Sequence, residues 1–244
     1  MHRMRVWRSM ASVDLRNVRR DALLPWMAAV PLVIALLLRL GVPALSRWLR
    51  AEFGFALEPY FPLLMSFLVM TAPGMAGMVT GFLLLDERDE QVHAALRVTP
   101  VAFGTYLSYR IATPLFLGLV ATLVAYPVAD LAPVPFPDLL AVALLSAFAG
   151  PITALFLAAF AENKVSGLAL VKVVNTVNML PVLAYFLAEP WQFVAGVVPA
   201  FWPMKALWLA AAGRGLVWCT AGGFGVNLAV LLLLLRRVHA KLQP

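Results

Sequence analysis

Six long apolar runs constrain what this chain of 244 residues can become: 22–45, 61–85, 105–128, 138–161, 165–187 and 215–235. A bilayer core of about 30 Å takes roughly 20 residues of helix, and every run reaches that length. Lipid offers the backbone no hydrogen bonds, so each run is read as a helix that satisfies its own N–H and C=O groups. The runs are continuous rather than ten-residue alternations, which excludes a transmembrane barrel. Pro25, Pro31, Pro73, Pro114, Pro151 and Pro181 lie inside the runs or at their edges; membrane helices accept them where neighbours re-satisfy the freed backbone. Hydrophobic residues make up 63% of the chain and charged ones 13%, too few to clothe a water-soluble domain. A soluble enzyme and a disordered chain are both excluded. The single cysteine, Cys219, and three scattered histidines, His2, His93 and His239, leave no internal disulfide and predict no metal site.

Charge sets the expected orientation. Arg3, Arg5, Arg8, Arg16, Arg19 and Arg20 precede the first run; Arg88, Arg97, Lys164, Arg236, Arg237 and Lys241 fall on the same side of a six-span chain. The opposite side carries Arg47, Arg50, Lys205 and Arg214. The positive-inside rule then places both termini in the cytoplasm and requires an even number of spans. The net charge of +7 follows from topology and needs no nucleic acid. Residues 188–212 are apolar but broken by Pro190, Pro199, Pro203 and Lys205. They are predicted as an outer re-entrant segment, with a seventh span as the alternative. Met4, Trp7, Met10, Ala11, Leu15 and Val18 recur near helical spacing, with arginines on the other side. Residues 1–21 are therefore expected to form an amphipathic helix on the inner leaflet, with a topology signal alone as the alternative, and no signal-peptide cleavage site stands out. The predicted fold is all-α integral membrane: this surface helix, then a single six-span domain over 22–244, with a broken helical segment before span six.

Between spans two and three, residues 86–100 have the marks of a short cytoplasmic helix that docks a partner, with a solvated loop stabilised by charge pairs as the alternative. Asp86 can cap its start, and Glu87, Asp89 and Glu90 suit the positive end of a helix dipole. Arg97 suits the negative end, and Pro100 restricts Thr99 and favours termination there. Val92 and Leu96, with Ala95, form a small apolar patch on an otherwise polar rod that also carries Arg88 and His93. Gly81-Leu-Leu-Leu-Asp-Glu-Arg-Asp-Glu-Gln91, then Ala95-Leu-Arg-Val-Thr-Pro100, then Tyr106-Leu-Ser-Tyr-Arg110 resemble the signature of ABC type-2 transporter permeases. Within that family the chain resembles small bacterial drug-export permeases of the fluoroquinolone-exporter type. Many members carry Glu-(Arg/Lys)-x-x-Gly-Thr in the acidic stretch, where this chain has Glu90-Gln91-Val92-His93 in place of the Gly-Thr. The resemblance implies a bacterial inner-membrane half-transporter that pairs with a second permease subunit, the same or related. It implies ABC ATPase subunits docked on a coupling helix, here Asp86, Glu87, Arg88, Asp89, Glu90, Val92, His93, Leu96, Arg97, Thr99 and Pro100. The chain has no G-x-x-x-x-G-K-[ST] loop and no Gly-Lys pair, so ATP and Mg are expected on the partner.

Inside the membrane, Gly74, Gly77 and Gly81 present a small-residue face that suits close helix packing, within one subunit or between two. Met65, Met70, Met75 and Met78 give span two a soft surface. Lys172, Asn175, Thr176 and Asn178 lie in a strongly apolar span five, and the three-residue intervals of 172, 175 and 178 are read as one polar stripe. A charge at the centre of a membrane helix costs about 2.5–3.5 kcal/mol on insertion scales, so such residues seek protein or a watery cavity. They read either as a transport path or as a snorkelling lysine with two interhelical asparagines. No catalytic residue is predicted, since the chain lacks H-E-x-x-H, G-x-S-x-G and clustered intramembrane aspartates. The expected cargo is an amphipathic or hydrophobic small molecule such as a drug; a lipid, haem-related cargo or glycan are alternatives. An ATP-independent secondary transporter or channel is the rival class. It would need intramembrane acids or a paired polar site, which the spans scarcely offer. Fluorescent-protein and phosphatase fusions test the topology: a fusion at the C-terminus should fluoresce, and phosphatase inserted at 132–137 should be active. The reverse pattern would invert the reading.

Overall fold

The computed structural model describes residues 2–90 and 103–242, and every regular element among them is helical. The helices are α1 (His2–Arg20), α2 (Leu24–Phe53), α3 (Phe61–Asp89), α4 (Phe103–Ala129) and α5 (Phe136–Ala147). They continue with α6 (Ala149–Phe160), α7 (Lys164–Ala184), α8 (Glu189–Gln192), α9 (Phe201–Ala211) and α10 (Val217–Leu242). Six stretches are long and apolar enough to cross a membrane: α2, α3, α4, the α5–α6 pair, α7 and α10. Each overlaps one of the six predicted runs.

Local chemistry explains the boundaries. The Asp21 carboxylate accepts from the N–H groups of Leu23 and Leu24 at 2.8 and 3.2 Å, and Pro25 follows at the start of α2. That places a cap and a pre-set φ where four donors need partners. The first run, 22–45, stops short of the helix: α2 continues through Gly41 and Pro43 to Phe53. One missing N–H does not stop a membrane helix. It ends at Gly54, whose φ of +64° suits glycine and whose N–H returns to the Arg50 carbonyl. The fourth span breaks at Phe148, because Pro151 has no N–H for the Ala147 carbonyl. The ladder resumes when Ile152 donates to Phe148 at 3.1 Å. Asn163 and Ser166 close a reciprocal capping box at the start of α7.

α3 is the hub, packed against α2, α4, α6 and α9. Glycines let it be so. A methyl at Gly77 would sit 2.3 Å from the Gly150 carbonyl oxygen, and one at Gly81 would sit 2.6 Å from Leu157. A methyl at Gly118 would meet Pro73 at 2.7 Å, and one at Gly150 would meet the Pro114 carbonyl oxygen at 2.6 Å. Backbones of α3, α4 and α6 thus touch where side chains are missing, as close packing in lipid requires. The predicted small-residue face divides: Gly77 and Gly81 pack within the subunit, while a methyl at Gly74 would meet nothing within 4 Å.

α9 has 11 residues, about 16 Å at 1.5 Å per residue, half of a bilayer core. It cannot be a seventh span. Phe201, Met204 and Leu207 bury it. Glu189 before it and Arg214 after it are paired at 2.5 Å, so the chain leaves and returns at one end of the bundle. Lys205, 4% exposed, joins them by donating to Glu189 at 3.0 Å and Gln192 at 2.7 Å. Arg214 and then Lys205 hold the Glu189 carboxyl down at about 2, so the clasp stays charged at ordinary pH. At the opposite end lie both termini: the Arg237 guanidinium sits 4.6 Å from the Phe160 ring centre, and Arg88 donates to the Ala161 carbonyl at 2.9 Å. This end is called the terminal end below. Overpacking a close contact costs about 1–3 kcal/mol. Gly77→Ala should therefore lower the melting temperature of the purified protein by several degrees, whereas Gly74→Ala should leave it unchanged, as followed by intrinsic fluorescence on heating.

Candidate functional site

α7 stands partly clear of the bundle, and a cavity opens on each side of it. The first, about 300 Å³, lies between α3 and α7. Met70, Gly74, Met75 and Met78 line it from α3, and Asn175, Asn178 and Met179 from α7. The second, about 410 Å³, lies on the other flank of α7; Leu145, Phe156, Val177, Asn227 and Leu233 are among its walls. Each falls in the range of a small-molecule pocket. The larger is overwhelmingly apolar, and no charged side chain lines either.

The structure brings Asn175 and Asn178 together with Gly74 and three of the methionines. It does not bring Lys172 to them. Steps of three residues slew about 60° each around an α-helix, so the line of polar residues fans out rather than forming one stripe. Asn178 is half-buried against the bundle, while Lys172 is exposed and lines neither cavity. Thr176 is spent on its own helix, donating to the Lys172 carbonyl at 2.9 Å. Asn227 donates to the Gly223 carbonyl at 2.9 Å within α10, and Cys219 is a small buried side chain. Arg39 reaches across to the Val128 carbonyl at 3.1 Å.

A second polar assembly occupies the terminal end. Arg110 of α4 is 2% exposed. It donates to both Asp14 oxygens at 2.8 and 3.1 Å and also to Glu87. Tyr109 donates to Asp14 at 2.7 Å and Tyr106 to Glu87 at 2.6 Å. One guanidinium thereby holds α1, the end of α3 and the start of α4. Beside it, the Lys164 ammonium lies 2.9 Å from both Asp21 and Asp86. That bond, then the Leu23 N–H, holds the Asp21 carboxyl below its ordinary range. Trp7, Met10 and Val18 turn toward the bundle, but Met4 and Leu15, expected on the same apolar side, are exposed. Asp14 among these apolar positions is the partner that sequence reasoning missed; a lone acid on the apolar side of an amphipathic helix was its signal.

Of the predicted coupling residues, Asp86, Glu87, Arg88 and Asp89 form the last turn of α3. No helix begins at Asp86. Glu90 N–H donates to the Asp86 carbonyl at 2.9 Å, and neither proline nor glycine interrupts the ladder from Phe82 to Asp89. Val92, His93, Leu96, Arg97, Thr99 and Pro100 lie outside the described residues.

Six membrane-length helices, with small-molecule-sized cavities beside the fifth, define a multi-pass membrane protein. Residues 14–235 match the family model described as "Fluoroquinolones export permease protein Rv2686c-like", and the chain belongs to that family. It is 34% identical over 234 residues to the fluoroquinolones export permease protein Rv2686c of Mycobacterium tuberculosis (strain ATCC 25618 / H37Rv), covering 93% of this chain and 92% of that one. The figures are the same for the fluoroquinolones export permease protein MT2760 of Mycobacterium tuberculosis (strain CDC 1551 / Oshkosh). No solved structure matches. Removing one partner of a buried ion pair costs about 3–5 kcal/mol. Asp14→Ala should therefore destabilise the protein and release α1, seen as faster limited proteolysis near Asp21; an unchanged digestion pattern would show that α1 is held otherwise.

Proposed function

We propose that this chain is the membrane-spanning permease subunit of an ATP-driven (ABC) exporter. It moves an amphipathic or hydrophobic small molecule, of the fluoroquinolone type for which its relatives are named, out of a bacterial cell. The observation that carries the reading is the cavity between α3 and α7, where two asparagines face a glycine and three methionines. Methionine adapts to varied aromatic and aliphatic shapes, and the amides supply sparse, orienting hydrogen bonds. The chain sits in the inner membrane with both termini inside, so the terminal end is the cytoplasmic one.

ATP and Mg are bound by separate ATPase subunits, which dock on residues 86–100. Closure of the ATPases pushes on that segment. α3 runs without interruption from its last turn at Asp86–Asp89 to the Gly77 crossing, so it carries the push into the bundle as a rod. Arg110 passes the same movement to α1 and α4. A second permease subunit, the same or related, completes the path, and exposed apolar side chains such as Leu37 and Leu40 of α2 face it or lipid.

Co-expression with an ABC ATPase subunit from the same bacterium provides the test. Val92→Asp or Leu96→Asp should abolish copurification of the ATPase while leaving membrane insertion intact. Asn175→Leu with Asn178→Leu should keep the ATPase bound and lower drug efflux by roughly tenfold, the scale of one or two lost hydrogen bonds. Normal copurification with both aspartate variants would refute the docking role. Efflux that follows the proton gradient and ignores the ATPase would refute the ATP-driven reading.

A further inference from the structure

The two cavities beside α7 are not independent. Met70 of α3, Thr153 of α6, and Val174 and Asn178 of α7 line both. These four side chains are the wall between the chambers. Two of them are polar. The Asn178 carboxamide and the Thr153 hydroxyl have no hydrogen-bond partner among the described residues, and Thr153 is 6% exposed. On the 410 Å³ side Asn227, 2% exposed, spends its amide N–H groups on the Gly223 carbonyl and, at 3.5 Å, the Pro199 carbonyl. Its carbonyl oxygen accepts from no described residue and belongs to a side chain that lines the chamber. Polar groups at membrane depth need partners. Donors and acceptors left over at the wall between an overwhelmingly apolar room and its more polar neighbour therefore point to a molecule that supplies them.

The second observation concerns charge. Neither chamber is lined by an acid or a base. The charges of the bundle are spent elsewhere: Asp14, Glu87 and Arg110 on one another, Asp21 and Asp86 on Lys164, Glu189 on Lys205 and Arg214. Lys172 lies outside both chambers. A bare charge carried into either room would lose its water and meet no counter-charge, which is prohibitive without pairing.

We propose that Asn178 and Thr153 form an uncharged hydrogen-bonding gate that selects molecules without a net charge. Its ligand is an aromatic amphiphile whose apolar body fills the 410 Å³ chamber and whose donor–acceptor edge meets Asn178. As the selectivity element of an exporter this rests on the function proposed above; as a binding preference it stands alone, and binding is what the test reads. The full-length chain in lipid nanodiscs is titrated with dansylamide, a neutral aromatic with a sulfonamide edge, and with its trimethylammonium-propyl derivative. Empty nanodiscs are subtracted for partitioning, and binding is followed by energy transfer from tryptophan. The wild type should bind dansylamide at least about tenfold more tightly than the cation. Asn178→Leu should weaken dansylamide binding by about three- to tenfold, the scale of one neutral hydrogen bond, and Asn178→Gln should restore it. Asn178→Asp should invert the preference in favour of the cation. Thr153→Val keeps the side-chain shape and should weaken dansylamide binding without a fall in melting temperature, which separates a lost contact from a failed fold. Equal binding of the two probes, no binding of either, or indifference to Asn178→Leu and Thr153→Val would each overturn the proposal. Binding as expected with no drug efflux in cells would sink the exporter reading alone; efflux with no charge discrimination would sink this one alone.

Discussion

The fold depends on how closely three backbones approach at Gly77, Gly118 and Gly150. In a bilayer, burial against a neighbouring helix gains little over burial in lipid, so association relies on close contact and on polar bonds. At this crossing α3, α4 and α6 come near enough that a single methyl on any of the three glycines would collide with backbone or proline. α3 is consequently fixed at the centre of the bundle, and most of its side chains are buried. α2, α7 and α10 pack around that crossing without sharing it. α7 starts from a turn capped by Asn163 and touches the bundle along a narrow line, which is why space remains on both its sides.

A second constraint acts at the terminal end. Arg110 is nearly without solvent, and two carboxylates from different helices answer it. Such a cluster is costly to break on one side only, so it fixes the register of α1, α3 and α4 against one another. Lys164 repeats the device between the α1–α2 link, α3 and α7. α3 therefore ends in a tightly tied part of the molecule, while the cavities lie away from that end.

Much of this was legible in the sequence, for reasons that differ by element. The six spans could be counted because bilayer thickness fixes helix length; the break in the fourth was not read, although Pro151 is its cause. The family was legible in the motif between Gly81 and Arg110. Asn175 and Asn178 stood out because amides are rare in an apolar span. Pairing was not legible. Asp14 and Arg110 are 96 positions apart, and nothing along the chain says that one guanidinium would gather acids from two helices. Lys172 was grouped with the asparagines because a three-residue interval looks like one face, although each step turns the helix. The acids after Leu85 suited the start of a new helix as well as the last turn of an old one, and only the unbroken ladder through Glu90 distinguishes them.

The fifth span is pinned at its two extremities. Lys164 grips two aspartates at one, and just beyond the other the Tyr185 hydroxyl donates to the Pro59 carbonyl at 2.6 Å. Between these moorings its middle has empty volume to left and right. Any sideways bowing of that middle stretch would enlarge one compartment at the other's expense, with neither anchor loosened and no backbone bond lost.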